Sequence, residues 1–179
     1  DPTHQVPGTS IFSAYFDGTN WQFFFDPNKD NDIDFSDIAV LDDIVVAVGS
    51  RPVLLPIPGA DGANVVSSWD VLSGKAEVKG HCAVVGGGLV GTETAEYLLE
   101  KGCTVSVIEM MDKIANGESS TILPTILADF ASHNVQQYVN TKVSAIEDGC
   151  VKATQGETEI SIPCDMVVMA VGSRKNVMD

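Results

Sequence analysis

The stretch Cys82-Ala83-Val84-Val85-Gly86-Gly87-Gly88-Leu89-Val90-Gly91 decides the fold, together with its continuation through Gly102 to Thr104-Val105-Ser106-Val107-Ile108-Glu109. His81–Val85 reads as a buried strand and Leu89–Lys101 as a helix. Along that helix Val90, Thr94, Ala95, Leu98 and Leu99 fall on one face, and Gly102 ends it. Thr104–Ile108 reads as a second strand. Strand, glycine turn, helix and strand in this order predict a βαβ unit of a parallel sheet.

The turn is a GxGxxG, and each glycine has a mechanical task. Gly86 permits the tight exit from the strand. Gly88 lacks a side chain, so a pyrophosphate can approach the backbone, and Gly91 lets the helix pack closely on the sheet. The main-chain amides around Gly86, Gly87, Gly88, Leu89, Val90 and Gly91, with the positive end of the helix dipole, then face the phosphates. Glu109 closes the second strand 18 residues beyond Gly91, where an acid accepts hydrogen bonds from the adenosine ribose. A carboxylate bound to a ribose hydroxyl is worth roughly 1.5–3 kcal/mol, whereas it would repel the 2′-phosphate of NADP. Met110, Met111 and Asp112 follow with no arginine, and Lys113 is the nearby base. The expected ligand is therefore NAD(H), with Met110 and Lys113 beside its adenosine end.

Beyond this unit, Ser119–Ser132 is expected as a helix with Pro124 in its first turn, and Val135–Val139 as a strand. Three short antiparallel strands near 142–147, 150–154 and 158–162 follow, joined at Asp148-Gly149 and Gln155-Gly156. Asp165–Val171 reads as a last apolar strand. The fold class expected is α/β, a Rossmann-like parallel sheet with helices and a three-stranded antiparallel meander. Upstream, Asp17-Gly18-Thr19-Asn20 separates two aromatic strand candidates and predicts an N-terminal β-hairpin. Residues 1–51 are read as hairpin, acidic loop and crossover strand, 52–78 as a proline-stiffened linker, and 79–179 as the nucleotide-binding domain. Val45 to Pro52 and Val168 to Lys175 echo each other, each an apolar strand running into Gly-Ser-Arg.

Composition narrows the partners. The 179 residues carry 25 acids against 10 bases, a net charge of −15, which repels nucleic acid and anionic membrane surfaces. No apolar run approaches the roughly 18 residues of a membrane span. No secretory signal is visible, and the start Asp1-Pro2-Thr3-His4 lacks a Met, which points to a processed or truncated chain. Cys82, Cys103, Cys150 and Cys164 lie far apart with no CxxC, and the three histidines are scattered. The expectation is a cytoplasmic protein with reduced thiols and no metal site.

With these residues in view, Ile44 through Asn176 resembles the NAD-binding domain of the flavoprotein disulfide-reductase-like superfamily. More narrowly it is similar to NADH:flavin oxidoreductases related to 2,4-dienoyl-CoA reductase, 2-enoate reductase and NADH oxidase-like enzymes. The segments carrying the likeness are VVAVGSRPVLLPIPG, SSWDVLSGK, CAVVGGGLVGTETAEYLLEKG, VSVIEMMDKIA and CDMVVMAVGSRKN, in family order. The resemblance implies an NAD domain inserted into an FAD domain, with Gly49 at the outgoing crossover and Gly172 at the return, near the cofactor. It makes Glu93 the catalytic glutamate close to the nicotinamide; the alternative is an ordinary exposed helix acid. The implied chemistry is hydride transfer from NADH to FAD, then onward to an FMN-bearing barrel that reduces an activated alkene. No flavin GxGxxG precedes Gly86, and neither iron–sulfur cysteines nor a catalytic dithiol is present. The chain is accordingly expected to bind NADH but not FAD, with the FAD and FMN-barrel domains as partners, and not to turn over alone.

One rival constellation lies at Asp26 to Asp37, where oxygen side chains at positions 1, 3, 5 and 12 follow an EF-hand-like calcium loop. A solvated acidic turn accounts for the same residues. The alternative function is thus a non-enzymatic nucleotide-binding module carrying a calcium loop at 26–37.

Overall fold

A computed structural model describes residues 14–16, 21–23 and 48–176. The chain divides into two compact units, residues 1–50 with 175–179, and residues 51–174. In the first, β1 (Ala14–Phe16) and β2 (Trp21–Phe23) pair antiparallel, Phe16 opposite Trp21, as the expected hairpin. Asn176 donates its main-chain N–H to the Gly49 carbonyl and its Nδ2 to the Val48 carbonyl, at 3.0 and 2.8 Å. The crossover strand expected over Ile44–Val48 is described only at Val48, and the Asp26–Asp37 loop lies outside the described residues.

The second unit is built on five parallel strands. β3 (Ser50–Pro52) leads into it, and β4 (Val65–Ser67), β5 (His81–Val85), β6 (Thr104–Ile108) and β7 (Gln136–Tyr138) follow along the chain. Then come the antiparallel meander β8 (Thr141–Glu147), β9 (Cys150–Gln155) and β10 (Thr158–Pro163), and finally β11 (Met166–Met169) and β12 (Ser173–Lys175). The parallel sheet runs β4-β11-β5-β6-β7, so the last of its strands in sequence sits second in space. β12 pairs with β3.

Side-chain alternation divides the core into two layers, because successive strand residues point to opposite faces. Cys82, Val84, Val105 and Val107 face a helical layer of α1 (Ser68–Leu72), α2 (Leu89–Glu100) and α3 (Leu123–Ser132), with Ala95, Leu98 and Phe130 wholly buried there. Ala83, Val85, Ile108 and Val167 face the meander, packing against Val143, Ile146, Val151 and Ile162. The meander is thus a lid over one face of the parallel sheet. His81 is structural: its ring sits between the Thr104 and Ser106 hydroxyls at 2.8 and 2.9 Å.

Three details differ from the sequence reading. α3 begins at Leu123 rather than Ser119: residues 120–122 form a turn ahead of it, with the Ser119 hydroxyl accepting the Thr121 N–H and the Ser119 carbonyl accepting those of Ile122 and Leu123. Within 52–78, β4 joins the sheet beside β11, and α1 follows it directly. The chain stays extended only through Leu55; Ile57 then donates its N–H to the Leu55 carbonyl at 2.9 Å, and bends at Pro56 and Ile57 lead into a turn at Pro58. There Ile146 donates its N–H to the Pro58 carbonyl at 2.8 Å, beside the irregular register between Val143 and Ala145. Gly59, at φ +80°, lies so close that a Cβ would overlap the Ile146 carbonyl.

Gly59 and Gly149 both have left-handed backbones, but nothing surrounds the second. Gly149→Ala should therefore lose only the left-handed cost of about 1–2 kcal/mol. Gly59→Ala should lose clearly more in urea unfolding, and equal losses would remove the docking role given to Pro58-Gly59. A second expectation concerns pH. Burial, then Cys103, pushes the Cys82 thiol from 9.0 to about 12; burial, then Cys150, pushes Cys164 to about 11. The unfolded chain gives up these protons first, so stability is intact below pH 9 and falls as pH rises through the folded values. Urea midpoints should decline across this range, less steeply in Cys164→Ala.

Candidate functional site

The carboxyl ends of β5, β6 and β11 converge. At the end of β5 the Gly86 N–H donates to the Ile108 carbonyl at 2.9 Å, and the Ala170 N–H donates to the Val85 carbonyl at 2.8 Å. Gly86 has φ +100°, and a Cβ there would strike the Ala170 carbonyl. Glycine is therefore required both by backbone conformation and by the neighbouring strand.

Gly87 is buried and held from both sides. Its N–H donates to Glu109 Oε2, and its carbonyl accepts the Ala115 N–H, both at 2.6 Å. Ile114, Val107 and Glu109 crowd its Cα. Glu109 is itself buried and braced: Oε1 accepts the Met111 N–H at 2.8 Å, its own N–H donates to the Tyr138 carbonyl, and its carbonyl accepts the Thr141 N–H. Each carboxylate oxygen keeps a second lone pair for an incoming hydroxyl. Ala115 adopts φ +51°, a left-handed conformation uncommon for a residue with a Cβ, in making its bond to Gly87.

Gly88 differs from its neighbours. It is the N-cap of α2, with no side-chain cap bond, and a Cβ there would meet no protein atom within 4 Å. At Gly91, by contrast, a Cβ would overlap the Gly86 carbonyl. Packing thus accounts for glycine at 86 and 91, while the space over Gly88 is left open. The nearby threonines are satisfied locally, Thr92 Oγ1 on the Leu89 and Gly88 carbonyls and Thr94 Oγ1 on Val90.

A cleft of about 820 Å³ opens over this edge. Gly86, Gly88, Leu89, Val90, Glu109, Met110 and Gly172 line it, while Gly87 and Gly91 are buried rather than lining. Glu93 and Lys113 are exposed and are not part of the lining. Gly49, at φ +70°, belongs to the other unit. Three lining groups were not singled out from sequence: Trp69 on α1, the start of β8 at Thr141 and Lys142, and Leu55 to Ile57. A signal for α1 existed, since Ser67 Oγ caps the Asp70 N–H at 3.1 Å in an S-x-x-D pattern. None existed for Lys142, which reaches the cleft only through the topology. Elsewhere, burial and then the carboxylates of Asp129, Glu93, Glu100 and Glu118 raise the Glu96 pKa on the α2–α3 side.

A family profile described as pyridine nucleotide-disulphide oxidoreductase matches residues 17–178. Bilirubin reductase of Mediterraneibacter gnavus (strain CC55_001C) is 46% identical over 138 residues, covering 77% of this chain and 22% of that protein. Cinnamate reductase of Clostridium sporogenes is 35% identical over 138 residues, covering 73% of this chain and 20% of its own length. The chain is also similar to a solved 2-naphthoyl-CoA reductase, with TM-score 0.67 and 27% identity, over 71% of this chain and 19% of that one. It therefore spans about a fifth of the length of these relatives.

The glycine turn separates two kinds of substitution. Gly91→Ala forces α2 off the sheet and should lower stability by more than 2 kcal/mol, on the scale of overpacked cores of about 1–3 kcal/mol. Gly88→Ala meets no protein atom, so its urea midpoint should match the unaltered chain; comparable losses in both would mean the space over Gly88 is not free.

Proposed function

Because the chain belongs to the pyridine nucleotide-disulphide oxidoreductase family, we propose that it is the NADH-binding portion of a flavin-dependent oxidoreductase of enoate-reductase-like type. The observation carrying this reading is Gly88, an uncapped helix start at the mouth of a large cleft where no protein atom fills the place of a side chain. A dinucleotide pyrophosphate suits that space, with the amides of the α2 first turn as donors and the helix dipole favouring its charge. Glu109 and Met110 line the same cleft, so the adenosine ribose would lie toward the end of β6, its hydroxyls donating to the free lone pairs of the Glu109 carboxylate. That carboxylate favours NADH over NADPH by repelling a 2′-phosphate.

In this reading NADH, when bound, would supply the hydride needed by a flavin partner. This chain's residues bind and orient the donor. The apolar walls from Leu55, Ile57, Trp69, Leu89 and Val171 limit water around it. Glu93 is proposed to act on the nicotinamide side only when the flavin domain is docked, since it is exposed in this chain. The similarity to a bilirubin reductase and a cinnamate reductase supports a reductase activity for the whole protein.

Trp69 lines the cleft and provides the readout. Titrating the chain with NADH should quench its fluorescence, and NADPH should require roughly tenfold more, the equivalent of one unfavourable charge contact of about 1.4 kcal/mol. Gly88→Val should abolish quenching while unfolding as the unaltered chain does. No quenching at millimolar NADH, or tighter NADPH, would sink the respective claim.

A further inference from the structure

The cleft carries two charged side chains in its lining, Glu109 and Lys142. They are brought together by the first residue of β8, whose N–H (Thr141) donates to the Glu109 carbonyl at 2.9 Å. Lys142, the next residue, is exposed. The two charges are not in equivalent states. Both Glu109 carboxylate oxygens already accept main-chain N–H groups, from Gly87 at 2.6 Å and Met111 at 2.8 Å, and these spread its charge into the loop. Lys142, among the described residues, has neither an ion-pair nor a hydrogen-bond partner for its ammonium. Two lysines away from the cleft are engaged, Lys152 lying 3.5 Å from Glu147 and Lys101 over the Tyr97 ring at 5.0 Å; what sets Lys142 apart is that, among the described residues, it is the one cation in the cleft lining. In a chain of net charge −15, an anionic ligand meets long-range repulsion almost everywhere. An unpaired cation within the cleft is where that repulsion is locally reversed.

We infer that Lys142 is the phosphate contact at the adenosine end of the cleft, its ammonium pairing with a phosphate oxygen of the bound dinucleotide. This rests on the dinucleotide reading above and adds a residue and a charge to it. The phosphate is either the pyrophosphate, common to both nucleotides, or a 2′-phosphate, carried by NADPH alone. In the second case Lys142 offsets part of the selectivity that Glu109 imposes. Lys142 is exposed at the cleft edge, and its flexible stem lets the ammonium reach either position.

The test uses the full chain with Lys142→Met, which keeps the stem and removes the charge, and Lys142→Arg, which keeps the charge. NADH, NADPH and adenosine are titrated against each, and urea unfolding of the exposed variants is compared with the unaltered chain. Lys142→Met should weaken dinucleotide binding about threefold to tenfold, the range for a partly solvated charge-assisted contact. Lys142→Arg should restore most of it, and adenosine affinity should not change. Equal weakening of NADH and NADPH identifies the pyrophosphate as the partner; weakening of NADPH alone identifies the 2′-phosphate. Unchanged dinucleotide affinity in Lys142→Met, or an equal loss for adenosine, overturns the contact. Failure of the unaltered chain to take up NADH sinks the dinucleotide reading itself and this contact with it, whereas NADH binding indifferent to position 142 sinks the contact alone.

Discussion

The peptide of Gly87 is the point on which the rest of the site depends. Its N–H is held by the Glu109 carboxylate and its carbonyl by the Ala115 N–H, both at 2.6 Å. No side chain could occupy that position without displacing Ile114, Val107 or Glu109. The clamp joins the turn after β5 to the segment after β6, so the two walls of the cleft are built as one body. It also gives Glu109 two tasks, bracing the loop and facing whatever enters. A buried carboxylate tolerates this because main-chain donors compensate its charge where water cannot.

Around that clamp the glycines divide by cause. Gly86 and Gly91 answer to the protein, one against Ala170 and the other against Gly86 itself, while Gly88 answers to open space. A motif written as a string treats the three alike. Only the three-dimensional packing separates the glycines that hold the helix on the sheet from the one that leaves room above it.

Much of the parallel sheet was legible because its signals are long and redundant. β5, α2 and β6 each show a clear period, and a glycine turn of known mechanics separates the first two. The meander declared itself through Gly149 and Gly156 between alternating strands. What escaped was short or non-local. β4 has three residues and α1 has five, too few for periodicity to register among prolines, although Ser67 and Asp70 marked the helix start. The turn at 120–122 ahead of α3 is held by the Ser119 hydroxyl on the Thr121 N–H, a local side-chain bond that apolar patterning does not show. Lys142 is a further kind of omission. Nothing in Asn140-Thr141-Lys142-Val143 signals a ligand, and its relevance arises only because β8 starts beside Glu109.

The spatial order β4-β11-β5 has a consequence for how such a protein is made. A ribosome delivers the chain from one end, and β5 with its glycine turn emerges some eighty residues before the strand that pairs with its free side, Met166–Met169. Throughout that interval the nascent βαβ unit carries an open hydrogen-bonding edge made of Cys82 to Val85, apolar on both faces and able to pair with a foreign strand. Ala170, the wall against which Gly86 is fitted, arrives with the same late strand. The nascent cleft therefore stays incomplete until the sheet closes, and a nucleotide that needs the finished cleft would protect the chain only after this window has passed.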